Sequence, residues 1–99
     1  MQGTYKITFA VSAVEDLEDI RAWYSDQQVP EVGERMIAEV IAQVERLADL
    51  PESGRMVPEF AMPQIREIIY PPFRIVYRLE KNRVRIVRVW RSERLLKLP

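Results

Sequence analysis

Arginine is the residue type through which this chain can do chemistry. The sequence holds 12 arginines against three lysines, and nine of the arginines follow residue 54: Arg55, Arg66, Arg74, Arg78, Arg83, Arg85, Arg88, Arg91 and Arg94. A guanidinium group stays charged and grips phosphate or carboxylate through two parallel hydrogen bonds. A sheet face bearing several of them suits RNA, DNA or an acidic protein segment. Arginines on strands also serve solubility and blunt sheet edges, and composition alone leaves both roles open. Trp90 and Arg91, adjacent near the end of the chain, form a possible contact pair, because an aromatic beside an arginine suits a recognition hot spot or stacking on a base.

Other chemistries are closed off. The chain has no histidine and no cysteine, which removes the commonest general base, the commonest metal ligand, thiolate chemistry and disulfides. Three scattered glycines, Gly3, Gly33 and Gly54, build neither a phosphate-cradling loop nor a G-x-S-x-G elbow. The basic half has no spaced set of carboxylates for a metal site. No catalytic residue, metal or cofactor is expected.

Charge is divided along the chain although the formal net charge is zero. Residues 1–53 hold 4 basic against 11 acidic side chains, and residues 54–99 hold 11 against 4. Such halves attract one another, or the basic half faces an anionic partner. With 99 residues, 47% apolar and 30% charged, the composition is that of a single globular domain of about one core, and disorder is excluded. No apolar run approaches the roughly 18 to 20 residues that span a bilayer, and the first residues lack a signal-peptide pattern. The chain is expected to be cytoplasmic.

The elements that must position these arginines follow from periodicity. Tyr5 to Phe9 alternates as a short strand. Ser12 with Glu15 makes an S-x-x-E capping box, which predicts a helix from about Ala13. Ala13, Leu17, Ile20 and Tyr24 give its apolar face, and Glu15, Asp16, Glu18 and Asp19 a solvated acidic one. A turn over Ser25 to Pro30 leads to a second helix, whose stripe of Val32, Met36, Ile37, Val40, Ile41, Val44, Leu47 and Ala48 ends at Leu50-Pro51. Pro51 to Glu59 reads as irregular, with Gly54-Arg55 shaping the connection and Gly54 supplying a positive φ.

Three strands follow, Ile65 to Tyr70, Phe73 to Leu79 and Val84 to Trp90, divided by Pro71-Pro72 and by a hairpin-length loop over residues 80–83. The last does not alternate cleanly, so both of its faces must be partly buried. The order is β-α-α-β-β-β: an α+β fold in which an N-terminal strand and an antiparallel two-helix hairpin pack on a twisted antiparallel sheet. Periodicity does not say which slot the first strand takes.

Several strings in this frame carry a family resemblance. The run Pro51-Glu52-Ser53-Gly54-Arg55-Met56-Val57-Pro58-Glu59, with its Gly54, Arg55 and Pro58, is followed by Ile65-Arg66-Glu67 and by Phe73-Arg74-Ile75-Val76-Tyr77-Arg78. Val84 to Val89 and Arg94-Leu95-Leu96 complete the pattern. Together they resemble the ParE branch of the ParE/RelE toxin superfamily over nearly the whole chain. The resemblance implies the fold just described and a role as the toxin of a bacterial type II toxin–antitoxin pair. Its partner would be a cognate antitoxin, ParD-like or similar, and no membrane is involved.

Two activities divide that superfamily: trapping of DNA gyrase by ParE-like members, and ribosome-dependent cleavage of mRNA by RelE-like members. Cleavage needs proton transfer, whose loss costs about 100- to 10,000-fold in rate. Arg66, Arg74 and Arg91 match positions where the RNA-cutting relatives keep basic groups. This chain, however, has no histidine and no C-terminal tyrosine, and reads Val89-Trp90-Arg91-Ser92 where many members read V-x-H-G. The resemblance therefore favours gyrase inhibition by binding, with RNA cleavage or an inactive antitoxin-binding module as alternatives. The residues expected to meet an effector or partner are Arg66, Arg74, Arg78, Trp90, Arg91 and Arg94.

Overall fold

A computed structural model describes residues 4–91. Strand β1 (Lys6–Phe9) leads into helices α1 (Val11–Asp26) and α2 (Pro30–Glu45), and a 3-10 turn (Arg46–Ala48) closes the helical hairpin. Strands β2 (Arg55–Met56), β3 (Ile65–Tyr70), β4 (Phe73–Leu79) and β5 (Arg83–Arg91) complete one sheet in the order β1-β5-β4-β3-β2. The α+β architecture expected from periodicity is present, with two refinements. The run after Pro51, read as irregular, contains β2, which pairs with β3 at the sheet edge. The first strand takes the opposite edge and runs parallel to β5, so the sheet is mixed rather than wholly antiparallel.

Both edges have the same cause. A meander of hairpins leaves the outer N–H and C=O groups of its last strand unpaired. β1 covers the first half of that edge, in register from Lys6 opposite Arg83 to Phe9 opposite Ile86. Beyond Ile86 the start of α1 takes over. The Ala10 amide donates to the Ile86 carbonyl at 2.8 Å, the Ser12 hydroxyl to the Val87 carbonyl at 2.7 Å, and the Val89 amide to Asp16 Oδ2 at 2.8 Å. Ser12 is therefore not the predicted cap: the helix starts at Val11 with Ala10 as its N-cap, without a side-chain hydrogen bond, so Ser12 lies inside the first turn and its hydroxyl donates to the strand. Asp16 likewise leaves the solvated acidic face to which its position assigned it and is buried.

The core lies between the helices and one sheet face. Ala13, Ile20 and Tyr24 of α1 and Val40 and Val44 of α2 meet Phe73, Ile75 and Tyr77 of β4 and Val84, Ile86 and Val89 of β5. Gly33 lets the helices approach, since a Cβ there would lie 2.9 Å from the Tyr24 Cβ. On β4 the alternation is regular. β5 departs from it at a bulge: Tyr77 faces Ile86 but Val76 faces Arg88, leaving Val87 as the extra residue. The bulge explains why Val84 to Trp90 does not alternate, and it sends Val89 into the core and Trp90 to the other side.

That other, helix-free face carries a second, smaller cluster of Val57, Ile65 and Val76, with Val87 and Trp90 packed against it. Among the described residues no helix is long and apolar enough to cross a membrane.

Candidate functional site

The helix-free face is where most of the strand arginines emerge. Phe60, Met62, Ile65, Val76, Val87 and Trp90 line a groove of about 290 Å³ that is bordered by Arg78 and Arg88. Its floor is apolar because the bulge and the 65–78 pairing bring Ile65, Val76 and Val87 to one side. Phe60 and Met62 are exposed at its mouth, on the segment that leaves β2 through a turn over residues 58–60 beginning at Pro58. Val57 anchors this segment, its amide donating to the Ile65 carbonyl at 3.1 Å.

Beside the groove sits a polar network. The Glu67 side chain is fully buried, yet it accepts from Arg55 Nε at 2.6 Å and from Arg74 Nε. Arg74, 10% exposed, also donates to Glu59 at 2.7 Å. The hydrogen bond from Arg74 holds the Glu59 carboxyl below the usual carboxylate range, and the same contact to Glu59 is the main cause that raises the Arg74 guanidinium further. A buried carboxylate bonded to two guanidiniums is satisfied; with either bond lost it is costly. Arg74 is thus tied down on both sides.

The remaining arginines divide by face. Arg66, in register with the core residue Tyr77, donates to the carbonyls of Pro63, Gly54 and Glu52. Arg91 lies on the helix side, stacked 4.8 Å from the Trp23 ring centre and 5.9 Å from that of Phe73, with Nη1 donating to the Tyr24 hydroxyl at 3.4 Å. Arg88 reaches around the sheet edge to Asp16 in a two-point bond of 2.8 and 2.9 Å, while its guanidinium covers the Trp90 ring at 4.7 Å. The bond to Asp16 raises its affinity for the proton. Arg78 and Trp90 line the groove, Arg74 stands beside it, and Arg66 and Arg91 point elsewhere. Arg94 lies outside the described residues.

Gly54 does not supply the positive φ expected of it; no described glycine has one. Its constraint is space. A Cβ there would lie 2.6 Å from the Glu67 carbonyl oxygen and 2.6 Å from the Tyr77 hydroxyl. That hydroxyl accepts from the Gly54 amide at 3.0 Å and donates to the Pro51 carbonyl at 2.8 Å, and burial pushes its pKa up. Tyr77 therefore pins the loop from inside the core.

Asp16, Glu67, Glu59 and Arg85 were not among the residues expected at a site. A two-residue turn at Pro71-Pro72 predicts the β3–β4 pairing and so the proximity of Glu67 and Arg74; the reach of Asp16 to β5 has no local signal. The charge division is not resolved by pairing between the halves: of the six ion pairs among the described residues, only Asp16–Arg88 joins them. No described cluster of three or more acidic, histidine or cysteine residues could hold a metal ion.

On β1, Thr8 Oγ1 is buried with no hydrogen-bond partner, an exception to the rule that buried hydroxyls are paired. Thr8→Val keeps the shape and removes that group, so urea unfolding is expected to show a gain of about 1 kcal/mol. A loss of stability would mean that the hydroxyl is satisfied.

The sequence matches, over residues 7–96, the family described as the ParE toxin of type II toxin–antitoxin system, parDE. No curated protein matches it. Among solved structures, a chain of the chromosomal ParDE toxin–antitoxin system from P. aeruginosa superposes with a TM-score of 0.76 at 22% identity, covering 89% of this chain and 96% of that one. A chain of the toxin–antitoxin complex RelBE2 from Mycobacterium tuberculosis superposes at 0.67 and 22% identity, covering 89% and 98%. At such identities the structural likenesses speak to the fold.

Proposed function

The chain belongs to the ParE toxin family of type II toxin–antitoxin systems, and on that premise we propose that it arrests growth by binding DNA gyrase and is neutralised by a cognate antitoxin. The observation that supports binding over RNA cleavage is the placement of every phenol. All four tyrosines lie on the helix side of the sheet: Tyr24 and Tyr77 are buried in the core, Tyr5 and Tyr70 pack against it, and Tyr70 donates to Glu39 at 2.8 Å. With no histidine in the sequence, the carboxylates beside the groove, Glu59 and Glu67, are the nearest candidate bases among the described residues. Glu59 and Glu67 are both bound to Arg74, which makes Glu59 a weaker base and commits Glu67 to two guanidiniums. The arginines suited to a phosphorane, Arg66, Arg74 and Arg91, do not converge.

The likeness to a RelBE2 chain makes RNA cleavage the competing activity, and one pair of assays separates the two. Toxin freed of antitoxin is expected to block supercoiling or to accumulate cleaved DNA with purified gyrase, and to leave translated mRNA intact in primer extension. Gyrase unaffected at toxin excess excludes the first activity. Message cut at growth-arresting expression establishes the second. Harmless overexpression without antitoxin marks an inactive, antitoxin-binding module.

A further inference from the structure

The geometry points to a carboxylate seat formed by Arg78 and Arg85 at the end of the apolar groove, taking an acidic, amphipathic segment of a partner protein. Arg85 sits between the core residues Val84 and Ile86, and Arg78 between Tyr77 and Leu79, which pack on the helix side, so both side chains leave from the opposite face. They are directly opposite one another across β4 and β5. Like charges so placed repel.

Nearby acids do not relieve the repulsion, because each is engaged elsewhere. Glu80 pairs with Arg83, Asp16 with Arg88, and Glu59 and Glu67 with Arg74. Among the described residues no acidic side chain pairs with Arg78 or Arg85. Two guanidiniums held side by side match the two oxygens of one carboxylate. Ile65 is the next residue in the same cross-strand row, so the apolar groove begins where the charge pair ends. A segment with a carboxylate followed by apolar side chains fits both.

A nucleic-acid strand fits less well. The groove lining is largely apolar, one face of Trp90 is covered by Arg88, and Glu59, 53% exposed, would repel phosphates. This inference rests on the toxin reading for the identity of the partner, the antitoxin.

The chain is co-expressed with the protein encoded by the adjoining reading frame, and the affinity of the pair is measured for wild type, Arg78→Gln, Arg85→Gln and the double variant. Each single variant is expected to weaken the complex about 30-fold at about 0.1 M salt. The double variant should lose little more, since both groups hold one carboxylate. Arg83→Gln, which removes a neighbouring exposed charge, should stay within about threefold. Urea midpoints of the variants at or above wild type show that weakened binding is not misfolding. A wild-type complex that both variants leave within threefold overturns the seat and leaves the toxin reading standing. No wild-type complex at all overturns both. Variants that lose single-stranded 20-nucleotide DNA but keep the antitoxin assign the seat to phosphate and overturn the carboxylate.

Discussion

Gly54→Ala is expected to lower the stability of the protein by about 3 to 5 kcal/mol. The substitution looks mild, because it adds one methyl group and the backbone there needs no positive φ. The methyl has nowhere to go. One neighbour at 2.6 Å is the Glu67 carbonyl oxygen, which belongs to the β3 backbone, and the other is the hydroxyl of Tyr77, whose ring is fully buried. Relief means moving β2 from β3 or withdrawing the phenol. Either breaks the 3.0 Å bond from the Gly54 amide and disturbs the Arg66 bond to the Gly54 carbonyl.

Tyr77→Phe discriminates between these routes. It removes the closer side-chain clash, so Gly54→Ala should cost visibly less in the Tyr77→Phe background than in wild type. Urea unfolding with unchanged slope reads both numbers. A Gly54→Ala protein within about 1 kcal/mol of wild type would show that β2 yields freely.

Local rules reached the elements and the pairings set by short turns, and stopped where a bulge or a contact distant in sequence decides the neighbour. Strands β3 and β4 were legible to the residue because a two-residue turn at Pro71-Pro72 sets Tyr70 opposite Phe73 and every pair before it. The same arithmetic across the 80–83 loop sets Arg78 opposite Arg85. It fails at Val87, where the bulge shifts the register by one residue. Sequence gives no marker for that shift beyond a strand that will not alternate. Ser12 misled for a different reason: the helix begins at Val11, ahead of the start that a capping box at Ser12 assigns, and the Ser12 hydroxyl donates across to the Val87 carbonyl. Arg66, Arg74 and Arg91 are alike in sequence, yet one serves loop carbonyls, one a buried carboxylate and one a pair of aromatic rings. Long-range neighbours decided each case. A count of arginines therefore overstates the free basic surface.

The strongest consequence of those pairings concerns Glu67. Glu67→Gln is expected to destabilise the protein by about 3 kcal/mol, whereas Glu59→Gln should cost under about 1 kcal/mol. Both carboxylates touch Arg74, and the difference lies in burial: the Glu67 side chain has no exposure and that of Glu59 is 53% exposed. A glutamine at 67 still offers one acceptor, but its amide group turns a donor toward either Arg55 Nε or Arg74 Nε, which are donors themselves. Arg74, only 10% exposed, then keeps its charge with one solvent-facing partner. Removing the charge as well tests this account. The double variant Glu67→Gln/Arg74→Met, which replaces the buried pair by groups without charge, should recover much of the loss, as buried ion pairs exchanged for apolar packing often do. Equal costs for Glu59→Gln and Glu67→Gln would mean that Arg74 is held from the solvent side, and the helix-free face would then owe its shape to the 58–60 turn rather than to the buried carboxylate.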